Sequence, residues 1–442
     1  MLEAGGLFNI SEYDYQPNSN FIRNNFNQMY LGLGGNSQKW ANRLMIDSNP
    51  SIYFNNLLKN KFNFKTLLNY FNLNINDFKI QNKLNIDDFD LNKSIWPKKI
   101  LRIQNDINFI RLIKEKFDLY INFNANSFIL DGQRFDEISS HNNIKIKAKT
   151  FILGCGGIEN SKILLRTKYK NISNLDKNNL IGKFLSDHPK KKVFKLKSFN
   201  SKLDFLLPDY NFRYKYQLGL NLSEKIIQKE NIFKLNYNMN YKLNNKYEMV
   251  VNKIIENIKM KKDLFKIQNY KVLLNNIYYH IPKENFIYFY YYVFNKIKKK
   301  PTNLEYFVDI FTEQPSKDYN NIQLINIEND KFKINNYVEN DLLESIDKSN
   351  FYFKQFLKRQ IIDFDEVDET LTDASHILCT TRASSKPDSG VVDQYCKIHN
   401  FDNVFVTGSS CFPSVEFYNP TLLIMLQSLN TLDYILSDEY SI

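Results

Sequence analysis

Five histidines occur in the 442 residues: His141, His188, His280, His376 and His399. His376 is set apart by its surroundings, DASHILCTTRAS (373–384), a segment dense in hydroxyls with one arginine. Imidazole is the side chain whose ordinary pKa suits it to take a proton near neutral pH. Downstream, Asn419 stands before Pro420 and the apolar stretch TLLIMLQSLNTLDYIL. Asn419 can cap a following helix or face a ligand. His188, in SDHP, reads as a turn-stabilising residue. Cys155, Cys379, Cys396 and Cys411 form no CxxC pair, so neither a zinc site nor a disulfide framework is expected, and no metal is assigned. Cys379 and Cys411 read as small core residues, and Arg382 as a structural ion-pair partner.

The elements that must hold these residues are marked by glycines. The chain has 13, and only Gly219 falls between Gly182 and Gly390. Positions that need close backbone approach therefore concentrate at the two ends. KIKAKTFILGCGG (145–157) reads as a strand entering a tight turn, and IENSKILLRT (158–167) has helical spacing. NVFVTGSS (403–410) is again a buried strand closing on a glycine turn. After it, Pro420 opens a mostly buried helix at a first-turn position. Strand, glycine turn, helix is the arrangement in which backbone N–H groups meet a phosphate or a flavin. A packing glycine explains any single instance as well. FDLYINFNANSFIL (117–130) alternates like a strand. KYEMVVNKIIENIKMKKDLFKI (246–267) reads as helical, and so does the stretch holding FIYFYYYVF (286–294). The segment 304–338 reads as several strands of a mostly antiparallel sheet.

Composition narrows the class. Hydrophobic residues make up 43% and aromatics 15%, which suits a globular protein of about two domains. The net charge is +11, but the basic excess is scattered lysine in a chain rich in residues with AT-rich codons. The runs Lys190–Lys192 and Lys296–Lys300 are short and carry no nucleic-acid motif, so no nucleic-acid partner is expected. There is no basic n-region followed by an apolar h-region, and no stretch long enough to span a bilayer. KIKKK beside the aromatic run leaves peripheral membrane contact as an option. The location expected on these grounds is cytoplasmic.

Residues 376–421 resemble the C-terminal signature of the glucose–methanol–choline (GMC) flavin oxidoreductases. That pattern runs from H-x-x-G-T-x-R-M-G, through V-V-D and D-N-L-x-V, to G-S-S-x-F-P and N-P-T. It is matched here by His376, Thr380 to Arg382, Val391 to Asp393, Asp402-Asn403, Val406, Gly408 to Ser410, Phe412-Pro413 and Asn419 to Thr421. FILGCGGIENSKILL (151–165) is similar to the family's strand–GGIE–helix segment, LIGKFLSDHP (180–189) to the stretch after it, and TEQPSKDYNNIQL (312–324) to a strand of the substrate domain. LGLGGNSQKWANRL (31–44) resembles the flavin-contacting G-G-x-S-x-x-W loop. The likeness covers both ends and thins in the middle.

The resemblance implies an α/β fold. An FAD-binding Rossmann-like domain would be assembled from both chain ends, residues 1–190 and 371–442. Between them, 191–370 would form an α+β substrate domain with a mostly antiparallel sheet. It implies non-covalent FAD held by Glu3, Gly34, Gly35, Asn36, Ser37, Trp40, Gly156, Gly157, Gly408, Ser409, Pro420 and Thr421. Lys39 stands where a few relatives carry a flavin-linked histidine, hence no covalent bond there. It implies His376 as the base and Asn419 as its partner in oxidising an alcohol or sugar by hydride transfer to flavin N5, with the electron acceptor open. Cys379 departs from the family's glycine, Ala383-Ser384 from Met-Gly, and Val415–Tyr418 from a small, glycine-rich stretch. The opening MLEAGG resembles the end of a second Rossmann strand, with Glu3 placed for the ribose of FAD. The first strand and the G-x-G-x-x-G turn are not found. The expectation is a fragment or misassigned start, the alternative a natural truncation. A flavin-free, inactive relative that binds a carbohydrate or a partner is the competing function.

Overall fold

The structure, a computed structural model, describes residues 1–2, 11–13, 29–31, 42–46, 50–80, 86, 88–99, 107–171, 174–198, 201–211, 213–243, 304–417 and 419–437. Two apolar triplets from distant parts of the chain meet at its centre. Strands Phe151–Leu153 and Val404–Val406 pair in parallel, with Val404 opposite Phe151 and Val406 opposite Leu153. Helix Gly156–Asn171 follows the first strand through a turn at Gly156, whose φ of +82° an L side chain rarely adopts. Ile158, Ile163 and Leu164 form the helix's buried stripe, as their spacing predicts. A three-stranded antiparallel sheet, Ala125–Asp131, Arg134–Ser140 and Lys145–Lys147, covers the same core with Phe128, Phe135 and Ile138. The strand expected over 117–130 thus begins only at Ala125. Asn403 ties the layers together. Its side chain donates to the carbonyls of Phe135 (2.8 Å) and Lys149 (3.0 Å) and accepts from the Phe135 N–H (2.9 Å).

At the C-terminal end, helix Thr421–Ile435 buries Leu422, Leu423 and Leu426 against helices Ile52–Lys59 and Lys61–Tyr70. Pro420 directly precedes the helix at its cap rather than in its first turn. Met1 and Leu2 lie beside 118–120, with Leu2 bridged in parallel to Tyr120.

The second layer system is an eight-stranded antiparallel sheet. Its main order is Phe364–Glu366, Lys190–Leu196, Leu304–Thr312, Leu235–Leu243, Tyr214–Leu222, Phe89–Pro97 and Leu44–Ile46. It therefore draws strands from before residue 190 as well as after it. Helix Asn340–Arg359 covers one face with Leu342, Ile346, Phe353, Phe356 and Leu357. The Phe353 ring stacks on Tyr237 at 4.1 Å between centroids. The opposite face is polar and also buried: Asn92, Ser94, Gln217, Asn221, Asn236 and Asn238. Asn92 donates to Asn221 at 2.7 Å across this face. Gly219 lies between, because a Cβ there would be 2.3 Å from Oδ1 of Asn236 and 2.8 Å from Oδ1 of Asn92. Strands Asn321–Asn326 and Lys331–Asn335 form a separate antiparallel hairpin.

The helical expectations at 246–267 and 286–294 fall outside the described residues. Among the described residues, no helix is long and apolar enough to cross a membrane.

Candidate active site

Residues 372–383 have little regular structure of their own and are held by backbone pairing on two sides. Thr372 exchanges hydrogen bonds with Lys190, and Leu378 with Ser186. Further on, the N–H groups of Cys379, Thr381 and Ala383 donate to the carbonyls of Ser409, Ser410 and Cys411 at 2.8–3.1 Å. His376 is thus clamped between the segment that feeds the antiparallel sheet and the turn after strand Val404–Val406. Two kinks shape the clamp: Ser375 and Cys379 have φ of +60° and +69°.

The ring of His376 faces two partners. Its Nδ1 contacts Nε2 of His188, and its Nε2 lies 3.5 Å from Nδ2 of Asn419. Asp187 frames the pair. One carboxylate oxygen accepts the backbone N–H of His188 (2.7 Å) and of His376 (3.2 Å), and the other accepts that of Ala374 (3.1 Å). Asp187 is itself fixed by Gln314, whose Oε1 accepts the Asp187 N–H at 2.8 Å.

Burial governs the protonation of all three groups. It lowers His376 to about 4, with Lys190 and Arg43 adding to the effect. It drives His188 well below the ordinary value, helped by His376. It raises Asp187 to about 7, with Asp373 adding and the backbone N–H groups opposing. Arg43 reaches this region from the polar sheet face. Its guanidinium bonds Ser94 Oγ at 2.8 and 3.0 Å and lies about 5 Å from the ring centres of Trp96 and Phe311. Sequence reasoning expected a base near neutrality, and the surrounding cations and burial give a weaker one.

Asp187, His188 and His376 bring one ligand-type atom each within 4.8 Å of one another, a spacing that a metal could use. The two rings, however, face each other through their nitrogens, and both Asp187 oxygens accept backbone N–H groups. The arrangement is that of two rings paired through one nitrogen each, with Asp187 fixing their backbone.

The other expected site residues divide into three groups. Glu3, Gly34, Gly35, Asn36, Ser37 and Trp40 lie outside the described residues. Gly157 and Ser409 support the histidine segment: a Cβ on Gly157 would be 2.5 Å from the Ile377 carbonyl oxygen, and Ser409 Oγ donates to that oxygen at 2.6 Å. Gly156 and Gly408 sit just past the carboxyl ends of the two parallel strands. A Cβ on either would meet nothing within 4 Å. The Gly408 N–H donates to Gln427 at 3.0 Å, so this glycine offers open space rather than a free donor. Pro420 and Thr421 open the last helix directly after Asn419. A crevice at the carboxyl ends of parallel strands is where an α/β sheet receives a nucleotide cofactor. The residues present fit a flavin there.

His188 and Asp187 were missed as site residues, although SDHP was in view. Only the fold shows that 186–190 runs alongside 372–378. Arg382 lies 3.6 Å above the Phe184 ring and donates to the Ser389 carbonyl, and Cys379 and Cys411 are fully buried. A cavity of about 420 Å³ among Asp176, Lys386, Asp388 and His399 touches neither His376 nor Asn419.

Part of the chain and its overall fold are similar to known proteins. Residues 336–427 match the family model of GMC oxidoreductase. A stretch of 64 residues is 36% identical to a pyranose 2-oxidase of Tricholoma matsutake, and spans 14% of this chain and 11% of that protein. The fold is similar to that of pyridoxine 4-oxidase from Mesorbium loti, with a TM-score of 0.54 and 10% identity over 98% of this chain and 93% of the other. It is also similar to a formate oxidase, with a TM-score of 0.51 and 10% identity over 98% and 92% of the two chains. At such identities the structural likeness shows the fold alone.

Proposed function

We propose that this chain, whose residues 336–427 match the GMC oxidoreductase family model, oxidises an alcohol group of a small molecule in an FAD-dependent reaction, with His376 as the base. The convergence of His376 and Asn419 carries the reading. They lie 43 residues apart in sequence, yet His376 Nε2 and Asn419 Nδ2 come within 3.5 Å. Two groups so placed can share one substrate oxygen. Asn419 donates to it and orients the hydroxyl. His376 is neutral near pH 7, so its lone pair is free to take the hydroxyl proton. Bound FAD would supply the acceptor for the hydride that leaves the carbon. Gly156 and Gly408 leave the space for it, and Ser409 with Gly157 fixes the backbone next to His376. On the polar sheet face Asn238 keeps an amide donor with no partner among the described residues, which suits a polar or polyhydroxylated substrate. A sugar, a polyol or another alcohol meets these conditions, and molecular oxygen, a quinone or a redox protein can serve as the electron acceptor.

The test is anaerobic reduction of the bound flavin by a panel of sugars and alcohols, in the parent protein and in His376→Ala. The expected loss is on the order of 100- to 10,000-fold in the reduction rate with flavin content kept. Near-normal reduction in His376→Ala removes His376 from the role. A purified chain that holds no flavin turns the reading toward a binding protein.

A further inference from the structure

We propose that His188 is a positioning residue for His376: it holds the His376 proton on Nδ1 and so leaves Nε2, the nitrogen beside Asn419, as the lone pair. The inference rests on the reading of His376 as the base. The argument begins with the contact between His188 Nε2 and His376 Nδ1. Two neutral imidazoles that meet through one nitrogen each must place a single proton between them. If His188 supplies it, His376 carries its own proton on Nε2 and presents a donor to the substrate. If His376 supplies it, Nε2 is left as an acceptor.

The Asn419 side chain selects the second arrangement, and two further observations bear on the pairing. Asn419 presents an amide donor to Nε2, at 3.5 Å. The far nitrogen of His188, Nδ1, must then carry the remaining proton. Among the described residues no hydrogen bond closes on that atom, and the nearby Glu416 backbone favours a proton on His188. Finally, His188 is 1% exposed, so water does not compete for the pairing. Asp187 makes the alignment rigid, because one of its oxygens binds the backbone N–H of both histidines.

The consequence is chemical. When His376 takes the hydroxyl proton on Nε2, its Nδ1–H still donates to His188. An acceptor on Nδ1 favours the charged ring. His188 therefore offsets part of the burial and the positive surroundings that weaken the base. It does so without touching the substrate.

The experiment uses the purified chain labelled with ¹⁵N-histidine, and reads the tautomer of His376 from the shifts of its two ring nitrogens. This readout does not depend on flavin. The expected result is Nδ1–H for the parent and for His188→Gln, whose side-chain oxygen accepts in place of the ring. His188→Leu is expected to shift His376 toward Nε2–H. It should also slow flavin reduction on the order of 100-fold with little change in KM. The glutamine variant should recover to within about tenfold of the parent. An Nε2–H tautomer in the parent overturns the proposal. So does a leucine variant with unchanged tautomer and rate. If the leucine variant does not fold, the parent and the glutamine variant decide. An Nδ1–H tautomer together with a fully active His376→Ala would instead overturn the role of His376 and leave the pairing standing.

Discussion

A Cβ on Gly157 would lie 2.5 Å from the carbonyl oxygen of Ile377 and 2.7 Å from its Cβ. Ile377, the residue after His376, therefore rests directly on the first turn of helix Gly156–Asn171. Gly157→Ala must push Ile377, and His376 with it, away from the helix. The expected cost is about 1–3 kcal/mol of stability, the usual range for overpacking. Because His376 moves, flavin reduction should fall more steeply than stability does. Thermal unfolding and stopped-flow reduction measured on one preparation check both parts.

Cys379 is fully buried at a φ of +69°, where the family pattern has glycine. Glycine would relieve the backbone by about 1–2 kcal/mol but lose the packing of the thiol, which is of similar size. Cys379→Gly should therefore stay within about 1 kcal/mol of the parent. Cys379→Val should lose more than about 2 kcal/mol, since a β-branched residue resists this conformation. Urea midpoints of the two variants give the comparison.

Asp187 accepts three backbone N–H groups and has no freedom to turn away. Asp187→Asn must aim its NH₂ at one of those donors. The expected loss is about 1–3 kcal/mol, as for a buried donor left unpaired. His376 loses its frame at the same time. Alcohol-dependent reduction should drop even under conditions where the variant remains folded, which circular dichroism establishes.

Acid should weaken the fold through the histidine pair. His376 is held at about 4 and His188 is depressed, so below the ordinary value of about 6.5 the unfolded chain binds protons that the native state refuses. Asp187, raised to about 7, works the other way: its contribution is present at low pH and is lost as pH rises through 7. Just below the ordinary histidine value, the two depressed histidines leave the unfolded chain binding more protons than the native one, and the raised Asp187 offsets only part of this. Stability should then fall on acidification, by on the order of 1 kcal/mol per pH unit. Lys190→Met should raise the His376 pKa and flatten the slope. Unfolding followed from pH 7 to pH 5 tests the sign.

Much of the site was legible in the sequence because its parts are local. A strand, a glycine turn and a helix are written in consecutive residues at 151–171 and again at 404–435. Asn419 sits within the second of those signals, whereas His376 is marked by its own surroundings in DASHILCTTRAS (373–384). What was not legible is pairing across distance. SDHP carries no mark saying that its histidine faces another one. In LNYNMNYKL the alternation of Leu235, Tyr237, Met239 and Tyr241 with three asparagines announces a strand with one apolar face. It does not say that Asn236 and Asn238 are buried as well. The spacing of Leu342, Ile346, Phe353 and Phe356 would have given the long helix, and was passed over. Strand Phe89–Pro97 joins the large sheet through Tyr214–Leu222, more than a hundred residues away, and Leu44–Ile46 pairs onto it from about fifty residues upstream, registers that no local pattern encodes.

The parallel pair at the centre also sets the order in which this protein can form. Asn403 must find Phe135 across 268 residues before the core between them closes. Closing so long a loop is slow, and such contacts are made late. During synthesis the strand Phe151–Leu153 leaves the ribosome with its partner still unmade, and waits with an apolar edge open. His376, Asn419 and the turn that braces them all lie downstream of residue 370, so they emerge after strand Phe151–Leu153 and after most of the large sheet. This protein is therefore expected to acquire its chemistry in a single late step, and to need protection from aggregation until then.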